Sequence, residues 1–181
     1  MVMPLTAYYT AEMVLALPDD GNRYETVHGE LLVTPSPAKP HQVILARLDL
    51  ILANYLAANG MEGVLWSPAD ITFGPDTLVQ PDLFVVDQES YLHAKTWADI
   101  REIYLVAEVL SPSSIRADRF TKRRLYQERR IPDYWVVDID RQQFEVWTPE
   151  AIAPTIARDQ VTWRHPAIAE PCVIEVSALF R

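Results

Sequence analysis

The sequence predicts an α/β protein: a mixed β-sheet flanked by helices, with an N-terminal helix and hairpin as an extension. Three observations lead there. Short apolar runs bounded by turn residues fill much of the chain before Leu110. A long amphipathic segment, "HQVILARLDLILANYLAANG", interrupts them. A second helical segment joins two strongly apolar runs, "YLVAEVL" and "YWVVDI", the kind of connection that links parallel neighbours in a sheet.

Each element has a local cause. Thr10 is placed to cap "AEMVLAL", which Pro18 and the "DDGN" turn end. "RYETV" and "ELLVTP" flank His28-Gly29, the two-residue spacing of a hairpin. "PSPAKP" reads as a loop. The long segment carries Ile44, Leu48, Ile51, Leu52 and Tyr55 at helical spacing and stops at Gly60. "GVLWSP", "DITFG" and "LVQPDLFVVD" are strand-like, and a polar segment follows around "QESYLHAKTWADI". "EIYLVAEVL" is a buried strand and "SIRADRFTKRRLYQERR" a helix. "DYWVVDI" and "FEVWTP" close the main sheet, and the tail from Ala151 is expected to add edge strands. All 181 residues are expected to form one domain, with its core at about residues 20–148 and C-terminal strands within 151–181.

Composition narrows the class. Hydrophobic residues make up 49% and charged residues 23%, which argues against disorder. The start, "MVMPLTAYYTAEMVLALPDD", has no basic residue ahead of its apolar stretch, so no secretory signal is expected. "VILARLDLILANYLAA" is broken by Arg47, Asp49 and Asn54 and is too short to span a bilayer. Cys172 stands alone, which excludes an internal disulfide and a cysteine-based zinc cluster. A cytoplasmic location without membrane attachment is expected. The formal net charge is −9, so any footprint for nucleic acid must be local. Between Arg116 and Arg130 there are seven Arg or Lys against two acids, Asp118 and Glu128.

Two acids stand out against this background. Glu108 sits in an otherwise apolar run, where an ionised carboxylate without a partner is costly. Asp82 follows Pro81 and opens "DLFVV", which places it at a strand end. Acids on neighbouring strands can converge on a hard cation such as Mg²⁺; equally, each can cap a strand or pair with a helical cation. At about 100° per residue, Ile115, Leu125 and Tyr126 define an apolar arc with Lys122 near its middle, flanked by Asp118 and Arg129. Lys122 can then reach Glu108, either as a catalytic group that stabilises charge on phosphorus or as a purely structural ion pair.

"QPDLFVV", "LVAEVLSPSS" and "DRFTKRRLYQERRIPDYWVVDID" together resemble the Uma-two-like proteins, a bacterial group counted among the restriction endonucleases of the PD-(D/E)XK nuclease superfamily. "RYETVHGELLVTPSP", "PHQVILARL" and "SPADITF" are similar to the same group, so the resemblance covers roughly residues 20–148. It implies a restriction-endonuclease-like fold, with Asp82 as metal ligand and Glu108 as the second acid of the motif. The superfamily has lysine two residues after that acid; here Leu110 stands instead, and Lys122 is the expected substitute.

The resulting expectation is an endonuclease that hydrolyses DNA with Mg²⁺ or Mn²⁺, held by Asp82, Glu108 and the carbonyl of Val109. Lys122 is expected to position the attacking water. Glu30, on a hairpin face with Val27 and Leu32, is a candidate further acid or an exposed hairpin residue. His41 is a candidate for phosphate contact or a helix-start histidine bonded to a carbonyl, and Gln80 a candidate substrate contact. Arg116, Arg119, Arg123 and Arg124 are the expected DNA-facing surface, and a homodimer the form that cuts both strands. Tyr126 is read as packing and Asp138 as a turn cap. Two rival readings stay open: a non-catalytic nucleic-acid- or protein-binding module of the same fold, and a metal-dependent hydrolase of a small phosphate compound.

Overall fold

The computed structural model describes residues 7–100 and 102–181; the first six residues of the N-terminal stretch read for a secretory signal lie outside them. The chain begins with α1 (Ala11–Leu15), capped by Thr10, whose side chain accepts from the Met13 N–H at 3.2 Å. The hairpin β1 (Asn22–Val27) and β2 (Glu30–Pro35) turns at His28 and Gly29, with φ of 51° and 80°. Positive φ at both positions is the backbone twist that a tight hairpin requires. The long helix α2 (Lys39–Ala58) buries Ile44, Leu45, Leu48, Leu52 and Leu56. It ends at Gly60, φ 72°, where the N–H groups of Met61 and Gly60 close on the carbonyls of Leu56 and Ala57.

The strands β3 (Leu65–Trp66), β4 (Ile71–Gly74), β5 (Thr77–Val79) and β6 (Leu83–Val86) follow. Next come α3 (Gln88–His93), a short 3₁₀ turn (Trp97–Asp99) and β7 (Ile103–Val109). A π-helical turn (Ala117–Lys122) continues into α4 (Arg123–Glu128) and leads to β8 (Asp133–Asp138) and β9 (Gln143–Trp147). The chain closes with β10 (Thr155–Ala157), the pair β11 (Gln160–Trp163) and β12 (Cys172–Glu175), and α5 (Val176–Leu179).

The main sheet has the order β10-β9-β8-β7-β6-β3, with β7 and β8 parallel and the other neighbours antiparallel. That is the mixed α/β arrangement the sequence predicts. β7 and β8 bury nearly every residue, as central strands covered on both faces must. Among the described residues no helix is long and apolar enough to cross a membrane.

Four details differ from the sequence reading. The hairpin, read as an extension, shares a separate four-stranded sheet with β4 and β5, ordered β2-β1-β5-β4. The polar segment after Val86 contains α3, started by Asp87, whose side chain accepts from the Ser90 N–H at 2.8 Å. Only β10 becomes an edge of the main sheet, while β11 and β12 form their own hairpin. Ile115 and Arg129 do not lie on the buried side of the crossover helix; Ile115 is 38% exposed. The cause is the π-helical turn, in which the Arg123 N–H reaches back five residues to the Asp118 carbonyl. Its extra residue per turn rotates the wheel, holding Asp118 and Lys122 inside and Phe120 out at 61% exposure.

Candidate active site

The two larger sheets meet where β5 runs through Gln80, Pro81 and Asp82 into β6. Pro81 has no N–H to give a ladder, so Asp82 is left just ahead of the strand rather than within it. Its own N–H donates to Oε2 of Glu108 at 3.2 Å. Glu108 is the next-to-last residue of β7, and Leu83 pairs with Ala107 one position before it. The two acids therefore lie side by side on adjacent strands.

Both carboxylates are held by cations and N–H donors. Oδ1 of Asp82 accepts from Arg23 at 2.9 Å; Oδ2 meets Nε2 of His41 at 2.9 Å and the Val109 N–H at 2.9 Å. Oε1 of Glu108 accepts from Nζ of Lys122 at 2.9 Å and from the Tyr126 hydroxyl at 3.2 Å. Lys122 also lies 2.8 Å from Oε1 of Glu25 and 3.6 Å from Oδ1 of Asp118. Glu25 in turn accepts from the Gln80 N–H at 2.7 Å, and Arg23 donates to the Gln80 carbonyl at 3.1 Å. Glu25, Asp82, Glu108, Asp118 and Lys122 are each 1–2% exposed, and His41 is 5% exposed.

The surroundings set the charge states. Burial pushes Asp82 up, but the His41 hydrogen bond and the Arg23 charge outweigh it and hold the carboxyl at about 2. Burial raises Glu108 well above the usual glutamate value; Lys122 opposes this, while Asp82, Asp118 and Glu25 add to it. Asp118 is pushed up to about 6, again chiefly by burial. Burial pulls Lys122 down, yet its carboxylate neighbours prevail and leave it raised and charged.

Arg23, His41, Asp82, Glu108, Val109, Asp118 and Lys122 line a cavity of about 20 Å³, with Ser111, Ser114, Thr34, Pro35 and Pro37 at its edge. That volume suits one water or one small ion. A carboxylate has about four acceptor positions, two per oxygen. Oδ1 of Asp82 and Oε2 of Glu108 each use one, so each retains one. Among the described residues no three His, Cys, Asp or Glu side chains form a ready metal cage. Two carboxylates with spare oxygen positions nevertheless fit Mg²⁺, which keeps waters and takes few protein ligands.

A family model described as "Putative restriction endonuclease", Uma2, matches residues 11–176. The chain belongs to the Uma2 family. At the level of the family, that places it among nucleases. A crystal structure described as "a putative nuclease belonging to DUF820 from Anabaena variabilis ATCC 29413" superposes with a TM-score of 0.74. It covers 95% of this chain and 97% of its own at 18% identity, which makes it similar in fold. No curated protein sequence matches the chain.

In this Uma2 chain, Asp82, Glu108, Val109, Lys122 and His41 come together. Lys122 arrives from the helix, while Leu110, 7% exposed, faces a neighbouring apolar cavity. His41 bonds a carboxylate, not the helix-start carbonyl considered as the alternative. Gln80 contributes its main chain, and its side chain turns away to Asp70 at 2.5 Å. Glu30 is not brought in: it is exposed beside the hairpin turn, opposite Val27 and about 7 Å along the strand beyond Glu25.

The arginines are largely engaged within the protein. Arg119 bridges Asp138 at 2.5 Å and Glu145 at 2.6 Å. Arg123 bonds Gln127 and lies 4.9 Å over the Trp147 ring. Arg124 pairs with Glu128, while Arg116 is exposed. Asp138 does cap its turn, accepting from the Arg141 N–H, but it also anchors Arg119.

Sequence reasoning missed Arg23 and Glu25 and undervalued the Tyr126 hydroxyl. Period-two alternation in "NRYETV" puts Arg23, Glu25 and Val27 on one face, a charged pair leading into a buried valine. That pattern is a usable signal for a charged strand face turned inward, and it points to Glu25 rather than Glu30.

Proposed function

We propose that the protein is a metal-dependent endonuclease that hydrolyses DNA phosphodiester bonds, with Asp82, Glu108 and Lys122 as its working groups. One observation carries this reading: four buried carboxylates, Glu25, Asp82, Glu108 and Asp118, face two permanent cations, Arg23 and Lys122. Such an excess of buried negative charge calls for a bound cation or, as the raised Glu108 indicates, a proton held in its place. Asp82, Glu108 and the Val109 carbonyl would hold Mg²⁺ or Mn²⁺, which supplies Lewis acidity toward a phosphate and lowers the pKa of a bound water.

The chain's own residues do the rest. Lys122 has three N–H donors; Glu108 and Glu25 take two, and the third, whose nearest acid is Asp118 at 3.6 Å, would turn to the attacking water or a phosphate oxygen. Arg23 and His41 fix the Asp82 carboxylate from both sides, which keeps it ionised and oriented. Tyr126 and Lys122 orient Glu108 in the same way. Cutting both strands calls for two such sites, hence a two-fold homodimer acting in the cytoplasm.

The internal pairing of the arginines favours a second reading, hydrolysis of a small phosphate compound, because little free basic surface is left for a nucleic-acid backbone. The test is nicking of supercoiled plasmid and single-stranded circular DNA with Mg²⁺ or Mn²⁺, using wild type, Asp82→Ala and Lys122→Ala. Loss of cutting in both variants is expected. Cutting that survives both substitutions sinks the assignment, and activity on model phosphodiesters without DNA affinity favours the small substrate.

A further inference from the structure

The carboxylate cavity, about 20 Å³, has no room for any part of a nucleotide. The reacting phosphate must therefore be presented from an adjoining space. A second cavity of about 400 Å³ shares His41 and Ser111 with it. Its walls are apolar: Pro40 from the start of α2, Leu110 and Pro112 after β7, Ile115 ahead of the π-helical turn and Ile139 after β8. Its polar edge is Asp138, tied to Arg119 and Arg141, together with Asp140. A cavity of about 450 Å³ around Phe73 and Arg129 lies at Ile103 and Ile131, the opposite ends of the central strands, and one of about 650 Å³ lies beside the hairpin turn at His28 and Glu30, sharing no residue with the carboxylate cavity. Five steps along β7 from Ile103 put the first of these roughly 17 Å from Glu108.

We infer that the 400 Å³ cavity receives the unstacked base of the nucleotide being cut, so that the substrate is DNA with an unpaired base at the cleaved position. This rests on the nuclease reading above and names its substrate class. Size supports it, because small-molecule pockets run from roughly 300 to 1,000 Å³, enough for one base and sugar but not for a duplex. Chemistry supports it as well: a base has two apolar faces and a polar edge, and here five aliphatic or proline walls lead to a rim of donors and acceptors at Arg119, Asp138, Asp140 and Arg141.

Charge points the same way. A duplex is held chiefly through its phosphates. In this protein, with its net charge of −9, Arg119, Arg124 and Arg130 are paired with acids and Arg123 is stacked on Trp147. Attraction to a duplex face is therefore weak, and burial of a base against aliphatic walls supplies what the backbone contacts do not. Leu110 gains a role on this account. A lysine there would put a charge into the wall, whereas leucine leaves it apolar and the helix supplies the ammonium instead.

The test is fluorescence anisotropy, in EDTA, of a labelled single-stranded 12-mer, the same 12-mer with its central bases removed, and the matching duplex. Preference for the intact single strand, with about tenfold weaker binding of the abasic strand, is the expected result. Leu110→Phe, which fills the cavity, and Ile115→Gln, at an exposed rim position that keeps the fold safe, are each expected to erase that preference. Equal affinity for all three DNAs, or an unchanged preference in both variants, overturns the inference. The nicking comparison separates the two levels. If Asp82→Ala abolishes cutting while no strand preference exists, the base pocket is wrong and the nuclease stands. If single strands bind selectively but no metal supports cutting, the nuclease reading falls instead.

Discussion

The ammonium of Lys122 lies 2.9 Å from Oε1 of Glu108, fourteen residues earlier in the chain. Through its second carboxylate, Glu25, the same lysine ties the crossover helix to the four-stranded sheet as well as to the main one. One side chain thus holds three layers together at the point where the chemistry is proposed.

Removing it should be costly. Lys122→Met is expected to destabilise the protein by about 3–5 kcal/mol near neutral pH, because three buried carboxylates lose their cation. The penalty should shrink in acid. Glu108 and Asp118 are already raised in the folded protein, so their protonated forms favour folding. For Asp118 that contribution is fully present below 3.8 and is lost as pH rises through about 6. Urea unfolding of variant and wild type at pH 4.5 and pH 8 checks the sign; a penalty that grows in acid contradicts it.

His41 acts on Asp82 from the far side of Lys122. His41→Ala takes one of the groups that hold Asp82 at about 2. Nicking activity should fall roughly 10- to 100-fold, as when a partner that orients a metal-binding carboxylate is lost. His41→Asn, which still offers a donor, should recover part of it. The measurement is the rate of nicking as Mg²⁺ is titrated, alongside a melting curve to establish that the fold persists.

Two arginines of one helical stretch should behave very differently. Arg119 is 18% exposed and satisfies Asp138 and Glu145, both buried, so Arg119→Ala is expected to cost about 3 kcal/mol. Arg124 is 77% exposed with a single partner one turn away, so Arg124→Ala should stay within about 0.5 kcal/mol. Equal losses in chemical denaturation would contradict the contrast.

His165 makes the fold acid-sensitive away from the cluster. Its Nδ1 accepts from the Ala167 N–H at 3.2 Å, which leaves the proton on a buried Nε2. Burial lowers its pKa below 6.5. A depressed value in the folded state means that the stabilisation is present above 6.5 and is lost as pH falls below that value. His165→Gln should flatten the fall of melting temperature between pH 7 and pH 5; an unchanged slope removes His165 from the account.

Much of the site is legible in the sequence. Glu108 in an apolar strand and Asp82 behind a proline are local signals, and both hold as geometry. Lys122 is legible because helical spacing survives a modest error in pitch. The π-helical turn is not, since its extra residue per turn depends on hydrogen bonds that composition does not encode; hence the helical wheel puts Ile115 and Arg129 on the wrong side. Alternation in the hairpin strand marks Glu25 as inward-facing, but its partner is set by long-range pairing. Only the path of Gln80 from one sheet to the other brings that hairpin strand against the helix, and no local pattern carries such a contact. The engaged state of Arg119 depends likewise on Asp138 and Glu145, which belong to later strands.

The widened turn at Ala117–Lys122 fixes the length of that stretch more firmly than its composition. If the same residues took the ordinary pitch, the downstream helix would swing by about 100°. Lys122 would be carried out of the layer it joins. Its outward positions, Phe120 and Arg124, should accept many replacements, while an inserted residue, which the already widened turn has no room to absorb, should not be tolerated.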